Sequence, residues 1–333
     1  MISVPETVLP RRRGLALAAV LPFTIAACSS AASDTGGSDA TNVATEAEVT
    51  TEATPTDISV VATTTIWSDV TSAALCGLDV PAVMPPGADP HIFEPALADR
   101  ATLEAADLVV ANGLYLEEGM VDLLSTVAAG GVRVIELTEN ADVLEFGGGH
   151  DDHDDHDDHD HSGGDPHIWF DPLTVAEVVP TIVEAAIAAG ADTSVRACGQ
   201  DYIDELEALD TEIRATLSAI PDDARYLVTN HDAFGYFAAR YDFEVVGTVI
   251  PSLSSLAETN PADLADLAAI IEELDIPAIF AEYQAADTEA NALAEVLPGV
   301  SVATLDSGSL RDSNDSYITF MRRNTQVIAE ALG

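Results

Sequence analysis

Two short phrases of this 333-residue chain each carry an imidazole on a stiff turn. Asp89-Pro90-His91-Ile92-Phe93-Glu94-Pro95 returns, slightly altered, as Asp165-Pro166-His167-Ile168-Trp169-Phe170-Asp171-Pro172. The proline ring fixes φ near about −65° and steers the preceding Asp to an extended conformation. A side chain on such a turn loses little freedom when recruited as a ligand, so His91 and His167 are candidate metal ligands. His231, in Thr229-Asn230-His231-Asp232-Ala233-Phe234-Gly235-Tyr236, stands where a predicted strand gives way to a helix. Asp306, in Leu305-Asp306-Ser307, follows the last predicted strand in the same way. Three imidazoles and one carboxylate suit a tetrahedral or distorted zinc site. The chain has eight histidines, and the other five fall in one run of Asp and His. His150, His153, His156, His159 and His161 lie between Gly147-Gly148-Gly149 and Gly163-Gly164, with no apolar residue among them. Such a segment reads as low complexity and as an auxiliary loop that takes up metal weakly at several points.

The carboxylates beside these histidines read differently. Asp89, Glu94, Asp165 and Asp171 are expected to make turns or to accept from imidazole N–H groups. Glu282 could approach the site from a strand end, although a structural role is expected for it, and Phe93 and Trp169 read as core. Hydrolytic chemistry would ask for a positioned general base near the metal, and no His-Glu-x-x-His helix is present. No activated serine or Gly-rich phosphate loop stands out either, so the chain is not read as an enzyme. The formal charge is −46, from 58 acids against 12 bases, and every base is arginine. A surface of that sign repels nucleic acid. Its excess of acids reads as adaptation to salt and to coding bias rather than as a clue to activity.

The elements that must position these residues alternate. Short β-branched runs at Ser59 to Thr64, Val80 to Met84, Asp107 to Ala111 and Arg133 to Leu137 read as strands, with helices at Ile66 to Leu75, Ala98 to Ala106 and Leu116 to Ala128. After the Asp/His segment, Thr174 to Ala189 reads as a helix. Ala197 to Ile220 is the longest helical pattern, with Tyr202, Leu206, Leu209, Ile213 and Leu217 at three- and four-residue steps and Pro221 as its stop. The alternation then restarts, with strands at Tyr226 to Thr229, Phe243 to Val246, Ala278 to Ala281 and Ser301 to Thr304. Helices are expected at Phe234 to Tyr241, Pro261 to Leu274, Thr288 to Leu297 and Ser316 to Leu332. The expected fold is α/β with two lobes, each a parallel sheet flanked by helices, joined by one long helix. In residues, the lobes are 57–197 (with the loop 147–164) and 221–333, and the linking helix is 198–220. Ligands of open parallel sheets bind at the carboxyl ends of strands, where His91, His167 and His231 all fall.

The chain opens as an exported protein. Arg11-Arg12-Arg13 precedes a short apolar stretch, Gly14 to Ala27, too short to span a bilayer, so 1–27 reads as a signal peptide, by the general or the twin-arginine route. Ile25-Ala26-Ala27-Cys28 resembles the lipobox of bacterial lipoproteins, which implies a lipid on Cys28. Residues 28–56, rich in Ser, Thr, Ala, Asp and Glu, read as a flexible tether. No later run offers about 20 uninterrupted apolar residues, so membrane attachment is expected through the lipid alone. Beyond Cys28 only Cys76 and Cys198 remain, and an even pair in an exported protein is expected to form one disulfide.

Taken together, the motifs resemble the metal-specific solute-binding proteins of ABC importers, the zinc and manganese cluster, from about Ile58 to Leu332. The likeness rests on Gly87-Ala88-Asp89-Pro90-His91 with Glu94-Pro95, Asp165-Pro166-His167-Ile168-Trp169 with Asp171-Pro172, His231-Asp232-Ala233-Phe234-Gly235-Tyr236, and Asp306. The resemblance implies a rigid two-lobed binding protein, its lobes joined by one long rigid helix, with metal in the cleft between them, His91 and His167 coming from the first lobe and His231 and Asp306 from the second. It implies zinc as cargo, since manganese members commonly carry a carboxylate at the third position, with manganese or iron as the alternative. The Asp/His loop also resembles zinc importers. An ABC permease is the implied partner of a monomer anchored to the outer face of the cell membrane, and a surface adhesin on the same fold is a further alternative. Two departures stand out: the family's Glu-Pro-Ser appears as Glu258-Thr259-Asn260-Pro261, and its Asp-Pro after the last strand as Asp306-Ser307.

Overall fold

Seven parallel strands form two sheets in the computed structural model, which describes residues 58–145, 164–257, 259–285 and 287–333. The signal, Cys28, the tether and the five histidines from His150 to His161 lie outside the described residues. In the first lobe, β1 (Val60–Ala62), β2 (Leu108–Ala111) and β3 (Arg133–Glu136) pair in that order. Their register sets Val61 against Val109 and Val109 against Val134. β1 and β2 are buried on both faces, which is why they are continuous apolar runs.

The expected strand at Val80 to Met84 is corrected. This segment runs beside β1 and exchanges backbone hydrogen bonds with Ala62 and Thr63, but it amounts to a single parallel bridge, Ala62 to Ala82. Pro81 has no N–H to give to a ladder, and Pro85-Pro86 ends the run. Helices α1 (Thr65–Ala74), α2 (Leu97–Glu104) and α3 (Val121–Ala129) flank the sheet. α1 starts where it does because the Thr64 side chain accepts from the Trp67 N–H. α3 is shorter than the periodicity suggests, since Glu118–Met120 forms a 3-10 turn ahead of it.

Two long helices follow. α4 (Pro172–Ala189) is set by an Asp171 cap, a proline in its first turn and Gly190 in the left-handed region at its end. It is long and apolar enough to cross a membrane by length and composition, yet half of it is buried in this protein, as befits a core helix. α5 (Val195–Leu217) is the expected linking helix, and Tyr202, Leu206, Leu209, Ile213 and Leu217 are its buried stripe. Gly199 lets α5 approach α4, since a Cβ there would lie 2.7 Å from Val183 Cγ2. The expected disulfide joins Cys76, just past α1, to Cys198 of α5 across 122 residues.

The second lobe holds β4 (Tyr226–Thr229), β5 (Glu244–Thr248), β6 (Ala278–Glu282) and β7 (Ser301–Leu305), in the order β5-β4-β6-β7. Helices α6 (Gly235–Tyr241), α7 (Pro261–Glu273), α8 (Thr288–Val296) and α9 (Tyr317–Leu332) complete it. Asn260 caps α7 and Ser316 caps α9, each through a side-chain oxygen. One apolar core runs through both lobes. Phe170, just before α4, lies 4.2 Å between ring centroids from Phe234 and 5.7 Å from Phe320 of α9. Tyr317 Oη donates to the Trp169 carbonyl at 2.7 Å, a second tie between the lobes.

Candidate metal centre

The strand order explains where a ligand would sit. From β4 the chain crosses to β5 on one side, while β6 lies on the other, so the order of the strands, all of them parallel, reverses between β4 and β6. His231 follows β4 by two residues, and Glu282 ends β6. Thr229 is paired with Phe280, so two residues further along, His231 and Glu282 emerge side by side. The Glu282 Oε1 atom accepts from His231 Nδ1–H at 2.5 Å and from its backbone N–H at 3.1 Å. Its other oxygen accepts from Ser307 Oγ at 2.6 Å, beyond β7.

From the first lobe, the two Asp-Pro-His phrases fold into the same turn. His91 N–H donates to Asp89 Oδ1 and His167 N–H to Asp165 Oδ1, each at 2.9 Å. Their outer contacts differ. Asp165 Oδ1 also accepts from His167 Nδ1–H at 2.7 Å, whereas Asp89 Oδ2 accepts from Ser255 Oγ of the second lobe at 2.6 Å. Asn112 holds the second phrase by donating to the Pro166 carbonyl at 2.9 Å, and Trp67 Nε1–H donates in turn to Asn112 Oδ1 at 2.9 Å. Glu118 lies 3.9 Å from His91 Nδ1.

These supports aim three Nε2 atoms at one point. His91 and His167 Nε2 are 3.2 Å apart, His167 and His231 Nε2 are 3.3 Å apart, and all three histidines are buried. Nitrogens at 2.0–2.1 Å from a tetrahedral zinc ion stand roughly 3.3–3.4 Å from one another. Among the described residues, these three form the cluster of side chains that could hold a metal ion. Donation from Nδ1 fixes the tautomer of His167 and His231 and leaves the Nε2 lone pairs facing the shared space. That space is a cavity of about 10 Å³ lined by Asp89, Pro90, Trp169, Ser307 and Gly308 with the histidines. Gly308 is needed there, because a Cβ would lie 2.5 Å from Pro90 Cδ.

Burial holds the His167 imidazole well below its ordinary pKa, and the neighbouring His231 adds to the effect. Burial also acts to depress His231, but the Glu282 carboxylate outweighs it, with Asp89 and Asp232 assisting, and its pKa is raised. Burial pushes the Asp165 carboxyl up to about 7, against the backbone bond from His167. A cation among the Nε2 atoms would draw that proton off.

Asp306 is not brought to the cluster, which corrects the four-ligand expectation. Its carboxylate is fully buried, but Oδ1 accepts from Arg311 Nε at 2.8 Å and Oδ2 from Arg323 Nε in a short contact. Its backbone is clamped as well, with Asn324 Oδ1 accepting from its N–H at 2.9 Å and Asn324 Nδ2 donating to its carbonyl at 2.8 Å. Asp171 serves as the cap of α4, and Glu94 is exposed. Sequence reasoning under-read Glu282. Its position at a strand end was visible, but its partner depends on register between strands far apart in the chain.

Two parallel-sheet lobes with imidazoles converging between them define the metal-binding class of substrate-binding proteins. The chain belongs to the ZnuA family, whose model, described as zinc-uptake complex component A, periplasmic, matches residues 60–331. It is similar to the zinc-binding protein TroA of Treponema pallidum, 29% identical in an alignment that covers 75% of this chain and 80% of the relative. The manganese-binding lipoprotein MntA of Bacillus subtilis is 29% identical over 76% of this chain and 82% of its own. The high-affinity zinc uptake system protein ZnuA of Bacillus subtilis is 30% identical over 76% of this chain and 81% of its own. The solved structure of periplasmic TroA superimposes with a TM-score of 0.74 at 28% identity, covering 83% of this chain and 99% of that one.

Proposed function

We propose that this protein captures zinc outside the membrane and delivers it to the permease of an ABC importer. The observation that carries the reading is the convergence of three buried imidazole Nε2 atoms at the edge length of a tetrahedral zinc site. The oxygens of Glu282, Asp306 and Asp89 are all engaged by other partners, which supports a donor set of nitrogen. Imidazole suits zinc, while manganese favours carboxylate and carbonyl oxygen. Relatives named for zinc and for manganese resemble this chain about equally, so it is the donor set rather than the likeness that favours zinc.

The protein acts by holding its cargo, not by transforming it. His91 and His167 come from the first lobe and His231 from the second, so an ion among them touches both. Lipid on Cys28 would keep a monomer at the outer face of the membrane, within reach of the permease. The run from His150 to His161 would gather zinc weakly around the tight site. Competitive zinc and manganese titrations of the mature chain, with and without residues 150–161, test the reading. One tight zinc that displaces manganese is expected in both, with extra weak zinc only in the longer chain. Manganese retained against equimolar zinc would overturn the zinc assignment.

A further inference from the structure

We infer that Ser307 is a positioning residue for zinc capture, joining the histidine supplied by the second lobe to one supplied by the first. The inference deepens the capture function proposed above and rests on it. Ser307 is buried and lines the cavity among the three histidines. It stands where the chain departs from the family's Asp-Pro phrase, and a proline there has neither a hydroxyl nor an N–H. Serine uses both. Its Oγ donates to Glu282 Oε2 at 2.6 Å, and its backbone N–H donates to Gln284 Oε1 at 3.3 Å. Gln284 Oε1 also lies 3.2 Å from Oγ, but the hydroxyl has one proton, and the nearer carboxylate is the stronger acceptor. The Ser307 carbonyl accepts from Trp169 Nε1–H of the first lobe at 2.8 Å.

These bonds make a continuous path between two ligands. Glu282 Oε1 accepts the His231 Nδ1–H, and Glu282 Oε2 accepts the Ser307 hydroxyl. Trp169 fixes the Ser307 carbonyl and packs edge to face on the His167 ring, with centroids 5.2 Å apart. Among the described residues, Ser307 Oγ is the one donor to Glu282 Oε2. Glu282 is buried, so losing that donor leaves a carboxylate oxygen unpaired out of reach of water. The carboxylate then turns toward another donor, and the bond that aims His231 at the shared point loosens. The residue before Ser307 is firmly held. Asn324 bonds both backbone groups of Asp306, and Arg311 and Arg323 bond its carboxylate. Ser307 is thus fixed on one side by the anchorage of Asp306 and on the other by Trp169 of the first lobe.

The test measures zinc affinity, by chelator competition, of the wild-type chain and of Ser307→Ala, Ser307→Thr, Glu282→Gln and Glu282→Gln/Ser307→Ala. Thermal unfolding of each metal-free variant runs in parallel. Ser307→Ala is expected to lose about tenfold in affinity, the lower end of the range for an outer partner of a metal ligand. Ser307→Thr keeps the hydroxyl and is expected to stay within about threefold of wild type. In the Glu282→Gln background the same alanine change is expected to cost less than about threefold, because the charged hydrogen bond it breaks is already gone. The visible absorption of the cobalt(II)-loaded chain reports the geometry of the ligands. It is expected to differ between wild type and Ser307→Ala, which a residue that only stabilises the fold would not cause. Unchanged zinc affinity in folded Ser307→Ala overturns the inference and leaves zinc capture standing, as does an equal loss in the alanine and threonine variants. A loss that stays undiminished in the Glu282→Gln background also overturns it, by showing that Ser307 does not act through Glu282. A wild-type chain that binds no zinc overturns the capture function and this inference together.

Discussion

His91, His167 and His231 reach one point through three different supports, and the differences set how each responds to protons. His167 leans on Asp165 and is kept neutral by burial, whereas His231 leans on Glu282 and has its pKa raised above the ordinary 6.5. Zinc binds the neutral imidazole, so it competes with a proton chiefly at His231. Zinc affinity is therefore expected to begin falling with pH while still above 6.5, and to go on falling below it. Chelator competition across that range, with counting of the protons released on binding, checks this, and a flat profile would contradict it. For the metal-free fold the sign is reversed. The raised His231 pKa contributes stability below 6.5 that is lost as pH rises through the folded value. Replacing Glu282 with Gln removes the charge that holds and charges His231. Zinc affinity is expected to drop by about 10–100-fold and the pH dependence to move to lower pH, both readable in the same titration. His91 and His167 were legible because their Asp-Pro-His phrases are local and stiff, and His231 because it stands where a strand gives way to a helix. The pairing of Glu282 with His231, and the capture of Asp306 by two arginines, were not, since both depend on contacts between elements remote in sequence.

At the scale of elements, the site is a junction of strand ends. The reversal between β4 and β6 brings His231 and Glu282 together, and the segment after β7 closes over them with Ser307 and Gly308. Nearly every helix and strand could be read from periodicity and caps, because apolar spacing, Asp171, Asn260 and Ser316 act within a few residues. Val80 to Met84 could not, since its apolar β-branched look is local while prolines deny it a ladder. Gly308 also escaped notice, although it sits against Pro90 of the first Asp-Pro-His phrase. A methyl group there would push on a proline ring that cannot swing aside, and with it on His91. Gly308→Ala is expected to weaken zinc binding by about tenfold while changing stability by only about 1–3 kcal/mol, measured by titration and denaturant unfolding.

Across the whole molecule, the lobes are not hung on a bare linker. One apolar core passes from β1 and α4 through Phe170, Phe234 and Phe320 to α9, with α5 packed along it and the Cys76–Cys198 bridge fastening its start. Such a core would hold the three histidines in place before an ion arrives, so that less ordering would accompany capture. Phe170→Ala removes a buried ring shared by both lobes. The protein is expected to lose about 3–5 kcal/mol, seen as a lower denaturation midpoint, together with some zinc affinity. The two-lobed plan was legible from the restart of β-α alternation after the longest helix. The fusion of the lobes was not, because Phe170 and Phe320 find each other only in the fold.

The most direct measurement is a zinc titration of the chain lacking residues 150–161, wild type against His167→Ala, whose Nε2 atom lies nearest both of its neighbours. One zinc per chain is expected in the wild type, with affinity falling by more than about 100-fold in the variant, beyond the loss expected for a residue that only orients a ligand. An unchanged affinity in His167→Ala would contradict a three-imidazole centre.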